Sequence, residues 1–178
     1  MPEPPNPGAS VSRSVSLLLA STGIAAGILG WKSLLGIIPT DPAWSSMAAR
    51  VGTAALALLP GAIVLWLMIA TQMAARIVTG RFHPTEECDT AFMRLNQRAI
   101  TNTVEQSLGF FPALLALAAG VAASFMPQVI ALALVFAAAR LIFWLGYLTR
   151  PALRAPGMAA SFATLTATLI GAVWAWLV

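Results

Sequence analysis

The chain has a single cysteine and a single histidine, and charged residues make up only 9% of it. Cys88, being alone, can neither close an intramolecular disulfide nor build a cysteine metal cluster. His83 has no Cys or His partner at ligand spacing, so both residues read as ordinary loop positions. A glycine-rich phosphate loop and a metal signature are also missing. So is the sustained apolar-polar alternation that a transmembrane β-barrel requires. This scarcity of charge, set against 59% hydrophobic residues and a mean hydropathy of +0.84, excludes an ordinary soluble domain.

What the sequence does have is long apolar runs. Five of them, residues 15–38, 51–75, 100–126, 129–148 and 158–178, each approach the roughly 20 residues that cross a hydrocarbon core. Spanning segments must satisfy their own backbone hydrogen bonds, so these runs predict an all-α integral membrane helical bundle. The first run is longer than a signal-peptide core, and no small-residue cleavage site with a soluble domain follows it, so it reads as a retained span. Gly23, Gly27 and Gly30 lie along it at helical spacing and would permit close helix contact. Residues 1–14, rich in proline at the start, read as a disordered tail.

Basic residues set the expected topology. Arg76, Arg81, Arg94 and Arg98 crowd one connection, Arg150 and Arg154 another, and Arg13 precedes the first run. In a five-span chain these places share one side, while Lys32 and Arg50 fall on the other. The basic side is therefore predicted to be cytoplasmic, with the N-terminus inside an inner or plasma membrane. Trp31, Trp44, Trp174 and Trp176 fall near the opposite boundary, as an interfacial aromatic belt would. The net charge of +4 resides in these anchors or within spans, which argues against nucleic-acid binding and for membrane lipids as the surrounding partner.

One segment departs from this pattern. Residues 93–106, MRLNQRAITNTVEQ, are polar yet run directly into the third apolar stretch. Wound at about 100° per residue, Arg94, Arg98, Asn102 and Glu105 fall on one face. A charge at membrane depth costs about 2.5–3.5 kcal/mol, so the face should point into the bundle or a polar cavity. Arg140 interrupts the fourth run at similar depth, and Tyr147 follows it on nearly the same helical face. A polar pocket open to the cytoplasmic side is one reading. An Arg140–Glu105 pair that merely locks two helices, with Asn102 adding a hydrogen bond, is the other. In the pocket reading, several arginines with one carboxylate and one amide suit a small, mostly anionic zwitterion such as glutathione.

The run Arg98-x-x-x-Asn102-x-x-Glu105, followed by ARLIFWLGYLTRPALR at residues 139–154, resembles the MAPEG family, the membrane-associated proteins in eicosanoid and glutathione metabolism. The resemblance covers residues 48–178 and leaves the 15–38 run as an added helix. It implies a four-helix protomer in a homotrimer, with glutathione held between neighbours near the cytoplasmic face. By that resemblance Arg98, Asn102 and Glu105 grip the tripeptide, Tyr147 touches it, and Arg140 matches an arginine of the family's third helix. Arg154 matches an arginine that stabilises the thiolate, and Arg76 or Arg81 matches one at the end of the first helix. Phe143, Gln106 and Thr101 depart from residues found in eicosanoid-specific members, and Pro112 implies a displaced kink.

The activity so implied is that of a glutathione transferase or glutathione-dependent peroxidase. Glutathione would be the co-substrate and a lipophilic electrophile or hydroperoxide the second substrate. A catalytically silent structural member and a small transporter are the competing readings.

Overall fold

The computed structural model describes residues 13–82, 89–150 and 153–177; residues 1–12 of the expected tail, His83 and Cys88 lie outside them. The described residues form six α-helices and two short 3-10 turns, without a strand. The helices are α1 (Arg13–Leu35), α2 (Met47–Ala57), α3 (Leu59–Thr79), α4 (Ala91–Gly120), α5 (Met126–Thr149) and α6 (Arg154–Leu177).

Helices α2 and α3 together make one span, Met47–Thr79, broken at Leu58. Pro60 causes no defect there, because a missing N–H is tolerated in the first turn of α3. Ser46 caps α2 by accepting from the Ala49 N–H, and Thr90 caps α4 by accepting from the Met93 N–H, each at 3.2 Å. Helix α3 ends at Gly80, whose φ of 66° is left-handed and favours glycine.

The third apolar run differs from its expected bounds. Helix α4 takes in the whole polar segment 93–106, passes through Pro112 and stops at Gly120, where Val121 turns extended. Its 30 residues measure about 45 Å, against about 30 Å of hydrocarbon. The surplus length lets its polar first turns reach the boundary. Four other segments, Ser14–Leu35, Met47–Thr79, Ala123–Thr149 and Arg154–Leu177, are long and apolar enough to cross. The chain is an integral membrane protein.

Helix α4 packs against α2, α3, α5 and α6, while α1 lies outside, on α5 and α6. At one end of the bundle Phe110 stacks on Phe136 at 4.0 Å, amid Leu114, Leu117 and Met126. Trp44, in the 3-10 turn Pro42–Ser45, is buried in this cluster. Trp174 and Trp176 do remain exposed. Arg50 closes the same end by donating to the carbonyls of Ala118 and Ala119, at 3.1 and 3.2 Å. Those carbonyls lie at the C-terminus of α4, where a cation is favoured.

Toward the other end Asn96 joins three helices. Its amide donates to the Met68 carbonyl at 3.0 Å and the Gln72 side chain at 2.9 Å, and its oxygen accepts from the Trp144 indole at 2.7 Å. Glycines set the closest approaches. A Cβ at Gly157 would collide with the backbone nitrogen of Phe143, and one at Gly23 with the carbonyl of Pro156. The glycine spacing on α1 therefore does serve helix contact.

Two outcomes follow for thermal unfolding in detergent. Gly157→Ala forces α5 and α6 apart and should cost about 1–3 kcal/mol, whereas Gly23→Ala should loosen α1 with a smaller loss. Asn96→Leu strands the Trp144 N–H and should cost about 1–3 kcal/mol; an unchanged midpoint would remove Asn96 from the bracing of the bundle.

Candidate functional site

The polar face of α4 lines a trough of about 600 Å³ at the basic end of the bundle. Arg94, Arg98, Asn102 and Glu105 stand along it, joined by Arg76 from the last turn of α3 and Asp89 from the connection between α3 and α4. Arg76 grips Asp89 with two nitrogens, at 3.1 and 3.2 Å, and Arg94 donates to the Asp89 carbonyl. Of the two arginines expected near the end of α3, Arg76 is the one on the trough wall. Arg81 is the residue whose backbone oxygen accepts from it at 3.3 Å.

The four polar residues share a face, as the helical wheel requires, but that face does not point between this chain's own helices. Arg94, Arg98 and Glu105 are exposed on the protomer surface and Asn102 is half-buried. Glu105 has no hydrogen-bond or ion-pair partner among the described residues.

Arg140, by contrast, is completely enclosed. One terminal nitrogen donates to Ser161 Oγ at 3.2 Å. The other donates to Asn102 Oδ1 at 3.1 Å and to the Thr103 hydroxyl. The guanidinium also lies over the Phe143 ring, 4.1 Å from its centre, where the ring quadrupole favours a cation. The expected Arg140–Glu105 pair does not form. Arg140 turns inward to hydroxyls and an amide, while Glu105 sits on the outer side of α4.

The partners are oriented to receive the cation. Thr103 donates its own proton to the Ala99 carbonyl at 2.8 Å, and Ser161 donates to the Met158 carbonyl at 3.1 Å. Both hydroxyls therefore present lone pairs to Arg140. A guanidinium only donates, so the Asn102 atom that meets it must be the amide oxygen. The Asn102 NH₂ is left on the trough side.

Tyr147 and Arg154 form a separate pair. Tyr147 is buried against Phe143, with ring centres 5.5 Å apart, and the Arg154 guanidinium stands 5.3 Å from the Tyr147 ring centre. Neither residue lines the trough. The fold thus brings Arg98, Asn102 and Glu105 together, sets Arg140 behind Asn102, and leaves Tyr147 and Arg154 apart from them within one protomer. Thr103 and Ser161 were not foreseen. Hydroxyls in apolar helices usually bond their own backbone, and nothing in the spacing of Ser161 marks its second role.

The MAPEG family matches residues 51–174, from within α2 to within α6. No curated protein and no solved structure matches the chain. The family match takes in α4, α5 and every residue just described, with α1 lying ahead of it, and the chain therefore belongs to the MAPEG family.

Proposed function

We propose that the trough binds glutathione and that the protein either conjugates it to a lipophilic electrophile or uses it to reduce a lipophilic hydroperoxide. Family membership supports this at a coarser level, since the family includes glutathione transferases and peroxidases as well as other members. The observation that carries the reading is the charge pattern. Arg94 and Arg98 stand on the trough wall beside the Asn102 NH₂ and Glu105, with the unneutralised Arg140 cation behind Asn102. Carboxylates of a tripeptide would take the arginines, and its ammonium would take Glu105.

The site so proposed is completed by a second copy. Arg98 and Glu105 face outward from α4, and charges facing lipid at membrane depth would cost about 2.5–3.5 kcal/mol each. A homotrimer in which each trough meets the Tyr147 and Arg154 side of a neighbour removes that cost. It also brings together the two groups that one protomer keeps apart. Residues 48–178 are the unit that would assemble, with the basic end cytoplasmic.

Arg154 is the group proposed to act on sulfur. A free thiol has a pKa near 8.5, and a shift of about two units toward neutral pH requires roughly 2.7 kcal/mol. A guanidinium about 4 Å away at an effective dielectric near 20 offers about 4 kcal/mol before desolvation. In conjugation the thiolate forms a thioether and expels the electrophile's leaving group. In peroxide reduction it attacks the peroxide oxygen, the O–O bond breaks, the alkoxide takes a proton and leaves as the alcohol, and the resulting sulfenic acid is attacked by a second glutathione thiol to give the disulfide and water.

One observation favours a silent, structural role instead. Both Arg140 terminal nitrogens donate to side chains inside the bundle without any ligand, and only its Nε is left with no partner.

Calorimetric titration and thermal unfolding of detergent-purified protein decide between these readings. Millimolar glutathione should raise the unfolding temperature, and no response in either measurement would end the glutathione reading. Arg98→Ala and Glu105→Ala should each weaken binding by about 10-fold to 150-fold, the equivalent of one charged hydrogen bond. Arg154→Ala should keep much of the binding while losing the ultraviolet thiolate band of bound glutathione. An unchanged band would remove Arg154 from the mechanism.

A further inference from the structure

The turn between α5 and α6 doubles back onto the end of α5, and the residue it lands on is Gly146. The Arg150 N–H donates to the Gly146 carbonyl at 3.0 Å, and the Leu153 N–H donates to the Arg150 carbonyl at 2.8 Å. The returning Leu153 carbonyl then lies against the buried backbone of Gly146. A Cβ there would collide with that oxygen, and it would stand 2.6 Å from the Leu153 carbonyl carbon and 3.1 Å from the Arg154 nitrogen. Ordinary carbon–carbon contact begins at about 3.5 Å, so any other residue at this position would push the start of α6 outward by about 1 Å.

The displaced peptide is the one that carries Arg154. This residue opens α6, at the end where the helix dipole disfavours a cation. Its side chain is exposed, and no hydrogen bond or ion pair holds it among the described residues. What it has is the face of Tyr147, the residue next to Gly146, with the guanidinium 5.3 Å from the ring centre and so within the roughly 6 Å reach of a cation–π contact. The ring is a fixed support. Tyr147 is buried, tilted on Phe143 at 5.5 Å, and Phe143 in turn lies under the enclosed Arg140 guanidinium at 4.1 Å.

We propose that Gly146 and Tyr147 are positioning residues for Arg154, the glycine setting where its backbone stands and the ring face setting where its guanidinium lies. The proposal rests on the reading in which Arg154 acts on the sulfur of glutathione, and adds to it the pair that aims that charge. Retreat of the guanidinium from about 4 Å to about 5 Å weakens its attraction for a thiolate by about a fifth, which lowers the thiolate population about fourfold below its pKa.

The test uses the full chain in detergent, labelled with [15N]arginine, with the Arg154 Nε–H resonance assigned by its loss in Arg154→Lys. In the wild type this resonance should lie upfield of that of the exposed Arg98, as the Tyr147 ring current requires. Gly146→Ala and Tyr147→Leu should each abolish most of that difference. With glutathione bound, Gly146→Ala should lower the thiolate band at neutral pH about fourfold and raise the midpoint of its pH titration, while the dissociation constant changes less than about threefold. Gly120→Ala is the control for general loosening, since its Cβ would stand 3.0 Å from the Ala175 methyl at the other end of the bundle. It should lower the unfolding temperature and move neither the resonance nor the titration.

An Arg154 resonance coincident with that of Arg98 in the wild type would overturn the proposal, as would a folded Gly146→Ala protein that keeps both the resonance and the thiolate band. An equal fall of the band in Gly120→Ala would do the same. If Gly146→Ala fails to fold, the wild-type resonance and Tyr147→Leu decide the matter. The two readings fail separately: a wild type that binds no glutathione ends the functional reading and leaves the resonance to judge the positioning, whereas a bound thiolate indifferent to Gly146→Ala ends the positioning alone.

Discussion

The arrangement of the helices depends on one buried cation. Arg140 sits where no water reaches it, and its terminal nitrogens are answered by Asn102 and Thr103 of α4 and Ser161 of α6. Those bonds fix α5 against two other helices at once, although the buried Nε of the same guanidinium has no hydrogen-bond partner. The acceptors are neutral, so the charge is satisfied in geometry but not cancelled. A positive field therefore persists behind Asn102, and whatever occupies the trough on the far side of that amide feels it. In the proposed site, fold and anion preference would share the same residue.

The treatment of polar groups divides the molecule in two. Inside the bundle Asn96, Thr103 and Ser161 all have partners. On the outer face of α4, Arg98 and Glu105 are exposed. A helix that met only lipid would gain by replacing them with leucine. Their presence is what makes this face look like one side of a joint, and the proposed assembly of copies follows from that imbalance more directly than from any shape.

Much of this was legible in the residues. Four of the five hydrophobic runs gave helices long and apolar enough to cross, the helical wheel put Arg94, Arg98, Asn102 and Glu105 on one face, and the glycine spacing of α1 marked real contact with a neighbouring helix. The direction of that α4 face was not legible. A wheel gives angles about one axis and does not say which neighbour occupies which side, so Arg140 was open to a pair with Glu105 when it meets Asn102 and Thr103. Trp44 misled in a related way. Its sequence position near a span end suited an interface and gave no sign that the side chain is buried in the cluster that holds Leu114 and Leu117.

The added helix α1 fits the same logic of unmet surface. Gly23 lets α1 touch α6 backbone to backbone at Pro156, whereas a Cβ at Gly27 would stand 3.6 Å from Ala160 and one at Gly30 would stand 3.9 Å from Val135 of α5, so the closest contact is confined to one turn. Beyond that turn the wall carries alanines, and Trp31 and Gln128 bring closed-off polar atoms without partners. Natural cores rarely leave such atoms unanswered, so the seam beside α1 carries a cost that the rest of the bundle must offset.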